Sequence, residues 1–218
     1  MTSISDLFPP LGLRATAGPV ELRGIGDDDL VTLAELAVAG IHEPDRMPFF
    51  FPWTDVPADE LPMQFVKYHW KSRAEWSPSS WELNLGVWFE GTLVGVQGVS
   101  TRDFLVTRAG ETGSWLGQAQ QGRGIGTAMR QAICALCFDH LGFTEITSGA
   151  FVDNPASLAV SRKVGYRLNG VRRLARRPGE LAVNQGLVLS PDDFVRGEHS
   201  LEVTGADAVR RSIGLDSE

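Results

Sequence analysis

The 218-residue chain is poor in cysteine: it has only Cys134 and Cys137, and no second Cys or His pair at metal-ligand spacing. Two thiols three residues apart do not build the disulfide framework of a small secreted domain. They also fall mid-helix, away from a helix start where the dipole would lower a thiol pKa, so they are expected in the core and no metal site is expected. Basic residues are outnumbered. Lys and Arg total 20 against 27 Asp and Glu, a net charge of −7, which disfavours a general nucleic-acid binder. No apolar run approaches the ~18 residues of a membrane span. The opening MTSISDLFPP lacks a basic n-region and a long apolar stretch, so no secretory signal is expected and the cytoplasm is the expected compartment. No repeat of 20–50 residues is visible.

What remains is an ordinary globular composition, 43% hydrophobic and 22% charged. A single domain of this length buries roughly 70% of its unfolded surface, enough for a core without staples. Leu11 to Thr16 and Val20 to Ile25 read as short strands around Ala17-Gly18-Pro19. Asp27-Asp28-Asp29 opens a helix to about Ala39, where three acids suit the positive end of the dipole. Three prolines break 43–55, and a second helix is predicted over 58–75. Strands 81–90 and 92–103 flank Glu90-Gly91 as a hairpin, and a strand follows at 111–116. The strongest helix is amphipathic: Ile125, Met129, Ala132, Ile133, Leu136, Cys137, His140 and Leu141 share one stripe. Beyond it come a strand over 145–151, a short helix over 156–164, and closing strands 166–173 and 181–189. Ser190-Pro191-Asp192-Asp193 reads as a helix start. Strands followed by strand–helix–strand predict a mixed-sheet α/β (α+β) domain with at least one parallel crossover.

The segment Glu111-Thr-Gly-Ser-Trp115-Leu116-Gly-Gln-Ala-Gln-Gln121-Gly-Arg-Gly-Ile-Gly126-Thr127 joins a strand to the best helix through a glycine-rich turn. Unpaired N–H groups and the dipole at such a helix start bind phosphate, and Arg123 adds a charge that pairs with it. The residues therefore predict a pyrophosphate site. They match neither the dinucleotide fingerprint, since Met129 stands where the third glycine belongs, nor a P-loop, which needs a lysine.

Two signatures here resemble a known family. Gln121-x-x-Gly124-x-Gly126 is similar to the acyl-CoA loop of the GNAT superfamily of N-acetyltransferases. Asn154-Pro-Ala-Ser157-Leu-Ala-Val-Ser161-Arg-Lys-Val-Gly165-Tyr166 is similar to its second motif. Glu111-Thr-Gly-Ser-Trp-Leu-Gly looks most like the RimJ/RimL-like branch. The resemblance implies a GNAT fold with a central mixed sheet of about six to seven strands flanked by helices. It places the acyltransferase domain at 20–190, with an N-terminal segment at 1–19 and a tail at 191–218 holding a helix over 205–213. Acyl-CoA is the implied cosubstrate, acetyl-CoA by default with succinyl-CoA left open. A primary amine on a protein N-terminus, a lysine or a small molecule is the implied acceptor. A non-catalytic CoA-responsive module is the reading of another class, and a homodimer is left open.

The resemblance also assigns roles. Backbone N–H groups of Gln121, Gly122, Arg123, Gly124, Ile125, Gly126 and Thr127 would hold the pyrophosphate. The edge at Trp115 and Leu116 would pair with pantetheine, as would Asn154, and Arg162 and Lys163 would meet the adenosine phosphates. An amine must lose a proton before it attacks, so a base is needed. Glu111 is the favoured base, with Glu82 in reserve. A Tyr common in the family is replaced by Ser161, so the donor to the leaving thiolate is Ser157 first and Ser161 second. The aromatic run Met47 to Trp53 is either a substrate-pocket wall or a packed loop. Arg167, Arg172, Arg173, Arg176 and Arg177 form a basic cluster on the closing hairpin. Charge is uneven: 120–177 holds nine Lys and Arg against three acids, so the cationic excess sits on the segment assigned to a phosphate-bearing ligand.

Overall fold

The hairpin expected around Glu90-Gly91 turns on Glu90 (φ 51°) and Gly91 (φ 80°), both in the left-handed region that a two-residue turn requires. The computed structural model describes residues 2–216. Its strands are β1 (Arg14–Ala17), β2 (Val20–Gly24), β3 (Glu82–Phe89), β4 (Thr92–Thr101), β5 (Ala109–Leu116), β6 (Glu145–Phe151), β7 (Arg167–Arg177), β8 (Glu180–Leu189) and β9 (Glu202–Thr204). The helices are α1 (Ile4–Leu7), α2 (Asp27–Ala39), α3 (Leu61–Ala74), α4 (Phe104–Thr107), α5 (Ile125–Ala135), α6 (Pro155–Val164) and α7 (Ala206–Ser212). One sheet holds all nine strands in the order β7-β8-β6-β5-β4-β3-β2-β1-β9. Strands β2–β8 supply seven, and β1 and β9 extend the edge beyond the expected six to seven.

Alternation divides the sheet into two faces. Leu83, Leu85, Val87, Val99 and Leu116 point to one, where Ile133 and Leu136 beneath α5 join Val209 and Ile213 of the tail in the main core. The tail thus docks on its own chain, and β9 pairs with β1. Val96 and Trp115 lie on the other face, under Leu30, Leu33 and Ala34 of α2 and Phe65 of α3.

Three local readings differ in detail. The long amphipathic helix stops at Ala135 and widens into a π-turn over Leu136–His140, with Leu141 N–H reaching Leu136 O at 3.1 Å. That extra residue keeps Leu136, Cys137 and Leu141 buried while His140 moves to a half-buried position. The Ser190-Pro191 signal yields only a single 3-10 turn, Pro191–Asp193. The chain there must return so that Val195 N–H meets Val164 O at 2.9 Å. The two cysteines are free and buried; burial raises both thiols, Cys134 to about 11. Among the described residues no cluster of His, Cys, Asp and Glu could hold a metal, and no helix is long and apolar enough to cross a membrane.

His69 of α3 is 3% exposed, packs its ring on Phe65 at 4.6 Å, and has no hydrogen-bond partner among the described residues. Burial first, and the Arg73 charge second, lower its pKa to about 4. The folded protein therefore refuses a proton that the unfolded chain accepts below its ordinary value. Stability from this site is complete above about pH 6.5 and is lost as the pH falls toward 4. Between pH 7 and 4.5, urea unfolding of wild type should lose roughly 2–3 kcal/mol more than His69→Phe does. Parallel losses in the two proteins would show that His69 is not the responsible group.

Candidate active site

Strands β5 and β6 are parallel, and they pair only over Ala109↔Glu145, Gly110↔Ile146 and Glu111↔Thr147. Beyond that point they part. Side chains take over from the ladder: Thr112 Oγ1 donates to Thr147 O at 3.3 Å, and Ser148 Oγ donates to Thr112 O at 3.1 Å. Arg130 of α5 then spans the gap. Its Nη2 donates to Ser114 Oγ at 3.0 Å, its Nη1 to Ser148 Oγ at 3.2 Å and its Nε to Gln97 Oε1 at 3.4 Å. The result is a wedge-shaped cleft with β5 and β6 as walls and the N-termini of α5 and α6 at its mouth.

The mouth is built from glycine and glutamine. Gly122 (φ 75°) and Gly124 (φ 85°) adopt left-handed backbone, and Gly124 caps α5 with no side chain to compete for its first N–H groups. Gln121 does not face outward as a ligand group. Its Nε2 donates to Ile41 O at 2.6 Å and Leu116 O at 3.0 Å, tying the turn to the end of β5 and to the loop after α2. Arg123 is exposed, bonded to Gln120 and placed 5.2 Å from the Phe89 ring. α6 packs beside Gly126, where a Cβ would make an ordinary contact with Val160 Cγ2 at 3.5 Å.

Asn154 caps α6, its Oδ1 accepting from Ser157 N–H at 3.1 Å. Ser157 is half-buried and its hydroxyl has no partner among the described residues. Ser161 is 1% exposed and donates to Ser157 O at 3.1 Å, so the structure places its hydroxyl inside the helix packing and not in the cleft. Arg162 and Lys163 are exposed on the next turn, without ion pairs among the described residues. Trp115 turns its ring to the α2–α3 face, 5.8 Å from Trp53, while Leu116 enters the main core. Both therefore offer the cleft their backbone.

The two candidate bases come together. Register aligns Glu82 of β3, Ser100 of β4, Glu111 of β5 and Thr147 of β6 in one row across the α2–α3 face. Glu82 and Glu111 lie two strands apart, roughly 10 Å between backbones. They line an open cavity of about 470 Å³ with Ser72 and Glu75 of α3. Glu111 is exposed and has no ion pair among the described residues. Glu82 accepts from the Tyr68 hydroxyl, and burial followed by the Glu82 charge raises that phenol. The cavity meets the apex of the wedge at Glu111, so a group entering from α3 reaches the end of the cleft.

Sequence reasoning overlooked Arg130, Ser114 and Asn184. Arg130 sits among apolar helix residues, and only the pairing of β5 with β6 reveals its role. Asn184 of β8 is 3% exposed, its Oδ1 has no partner, and a Cβ on Gly149 would stand 2.9 Å from it. The hairpin arginines are largely committed to the loop between α2 and α3. Arg177 Nε donates to Asp55 at 2.5 Å, and Arg176 binds Asp153, Glu180 and Met47 O. Met47 is buried and Phe49 and Trp53 stack at 5.3 Å, while Phe50 and Phe51 are exposed, so this loop is packed on one side and bare on the other.

The parallel pair splits beside a glycine-turned helix start, and comparison with known proteins identifies the family. The model of the acetyltransferase (GNAT) domain matches residues 20–167. The chain belongs to the GNAT acetyltransferase family. It is 26% identical over 157 residues to YdaF of Bacillus subtilis strain 168, which carries the provisional name of a ribosomal N-acetyltransferase; the match covers 71% of this chain and 81% of YdaF. Among solved structures, RimJ of Mycobacterium smegmatis, in complex with CoA-disulfide, superposes with a TM-score of 0.69 at 21% identity, covering 90% of each chain. RimL, the ribosomal L7/L12 alpha-N-protein acetyltransferase, in complex with coenzyme A, gives 0.64 at 19% identity, over 81% of this chain and 97% of RimL. These likenesses establish the fold and, with the domain match, an N-acyltransferase.

The Arg177–Asp55 pair is partly exposed, so its removal should leave global stability nearly unchanged. Arg177→Ala should instead speed amide hydrogen exchange over 44–55 while leaving β3–β5 protected. Exchange unchanged in that segment would show that apolar packing alone holds the loop.

Proposed function

We propose that the protein transfers an acetyl group from acetyl-CoA to the α-amino group of a protein N-terminus, by direct attack of the amine on the thioester. The observation that carries this reading is the position of Glu111. Its carboxylate lies where the wedge between β5 and β6 ends and the cavity under α3 begins. Pyrophosphate would rest on the backbone N–H groups from Gln121 to Thr127, at the positive end of the α5 dipole. Pantetheine would run along the unpaired edge of β5 at Trp115 and Leu116, with the Asn154 amide nitrogen on its other side. Arg162 and Lys163, free of ion pairs among the described residues, suit the adenosine phosphates.

The acceptor would enter on the α3 side. Glu75, Glu82 and Glu111 favour an arriving ammonium, and Glu111 takes its proton directly or through one water. The protein-terminal acceptor is supported by the named activity of RimL, and the cavity is wide enough for an extended chain end. Buried free thiols suit a reducing cytoplasm as its place of action.

The test is thiol release from acetyl-CoA against three acceptors: a peptide with a free N-terminus, the same peptide blocked at the N-terminus but carrying lysine, and a small primary amine. Release with the first alone is expected; release with lysine or the small amine alone would move the assignment. Glu111→Gln should lower kcat about 100-fold or more, the usual worth of a general base, with CoA affinity within about twofold. Unchanged turnover would remove Glu111 from the role. Gly124→Trp should abolish CoA binding in calorimetry, since it strains the left-handed cap and fills the phosphate turn. Wild-type affinity would overturn the loop assignment.

A further inference from the structure

Arg130 is 5% exposed, yet among the described residues no carboxylate pairs with it. A buried guanidinium normally demands an anion, because hydroxyls and amides recover only part of its lost hydration. Here the partners are Ser114, Ser148 and Gln97, all neutral, with the Tyr166 ring 5.9 Å away. Two of those partners are spent. Ser148 gives its proton to Thr112 O, and Gln97 Nε2 gives to Gly98 O and Gly113 O, both at 3.1 Å. Ser114 differs. It accepts from Arg130, is half-buried, and its own proton has no acceptor among the described residues. It stands on β5 three residues past the last pairing with β6, on the wall of the wedge.

We infer that Ser114 is a catalytic residue that donates a hydrogen bond to the thioester sulfur as the thiolate departs, and that Arg130 is the positioning residue that orients and polarises it. This rests on the acyl-transfer reading above. The amine nitrogen forms a bond to the thioester carbonyl carbon, the C–S bond breaks, and its electron pair leaves on sulfur. The ammonium proton passes to Glu111 and then to water. Ser114 keeps its proton and shares it with the sulfur, and the thiolate is protonated by water on release. The anion missing around Arg130 is thus the one the reaction produces. A cation polarising the donor makes it stronger at that moment than in the ground state, which is where stabilisation accelerates a reaction. It also accounts for an α6 whose Ser161 hydroxyl is turned into its own helix.

The experiment is a titration of the thiol of CoA bound to the protein, followed by ultraviolet thiolate absorbance, beside steady-state kinetics. In wild type the bound thiol should titrate about one pH unit or more below free CoA, because a charge-assisted donor favours the thiolate. Ser114→Ala should return most of that shift and lower kcat about tenfold, with the KM for acetyl-CoA and the CoA Kd within about twofold. Arg130→Met should return the shift as well, and adding Ser114→Ala to it should change kcat little further. Should Arg130→Met fail to fold, Arg130→Lys keeps the charge but loses the fork. It should retain part of the thiol shift and lose kcat. A bound thiol that titrates like free CoA, or identically in wild type and Ser114→Ala, overturns the inference. Failure of CoA to bind overturns the acyl-transfer reading along with it. A shifted thiol with no acetylated acceptor sinks that reading and leaves the thiolate site standing.

Discussion

Two parallel strands that pair for three residues and then separate leave backbone groups with no neighbour, and a protein interior does not tolerate that for nothing. The split between β5 and β6 is the constraint on which the rest of this molecule depends. It opens a wedge within the sheet, where a continuous ladder would have closed it. Holding it open requires polar side chains inside the sheet, and the buried polar residues Gln97, Thr112, Arg130 and Ser148 all gather there. Hydrogen bonds among these side chains and the strand carbonyls hold the two walls in place. The wedge is accordingly a built feature with fixed walls.

The flanking helices follow from the same split. α5 can present its N-terminus to the wedge because the glycine turn reverses the chain within a few residues of the end of β5. α6 does so because Asn154 caps it immediately after β6. α5 and α6 pack side by side, with Val160 next to Gly126, so both positive helix ends face one mouth. The acidic helix start of α2 lies on the opposite face, where Asp29 accepts from Gly26 N–H at 2.8 Å and Asp27 pairs with Arg73 of α3. Helix ends thus do different work because the sheet places some beside a gap and another over a packed surface.

Much of this was legible in the sequence, and for identifiable reasons. Hairpin turns, glycine stops and the α5 stripe are local signals, so β3–β4, α5, α6 and β7–β8 lie close to where periodicity puts them. The glycine turn into α5 was legible because strand, glycines and helix start are contiguous. Arg130 was not, because its meaning depends on Ser114 and Ser148, which lie on two strands that touch only through the fold. β9 escaped because three residues carry no periodicity and gain their place from β1 alone. Ser161 looked available by its spacing from Asn154, but a serine inside a helix readily bonds the carbonyl four residues back, as it does here.

The distribution of charge closes the argument about direction. The net −7 is no guide to what the protein binds, since the cations collect on 120–177 and the anions elsewhere. In the fold this becomes a polarity across the sheet. Arg123 lies in the turn at the mouth of the wedge and Arg162 and Lys163 are exposed on the last turn of α6, while Glu75, Glu82 and Glu111 line the cavity beyond the apex. The hairpin arginines that could have blurred this separation are drawn away by Asp55, Asp153 and Glu180. A phosphate-bearing donor and an ammonium-bearing acceptor would be attracted to opposite ends of one passage, and each would be repelled from the other's end. Such a field would order the encounter without any moving part: in the proposed reaction the anionic donor would fill the mouth, the cationic acceptor would approach through the carboxylates, and the two would meet where β5 leaves β6.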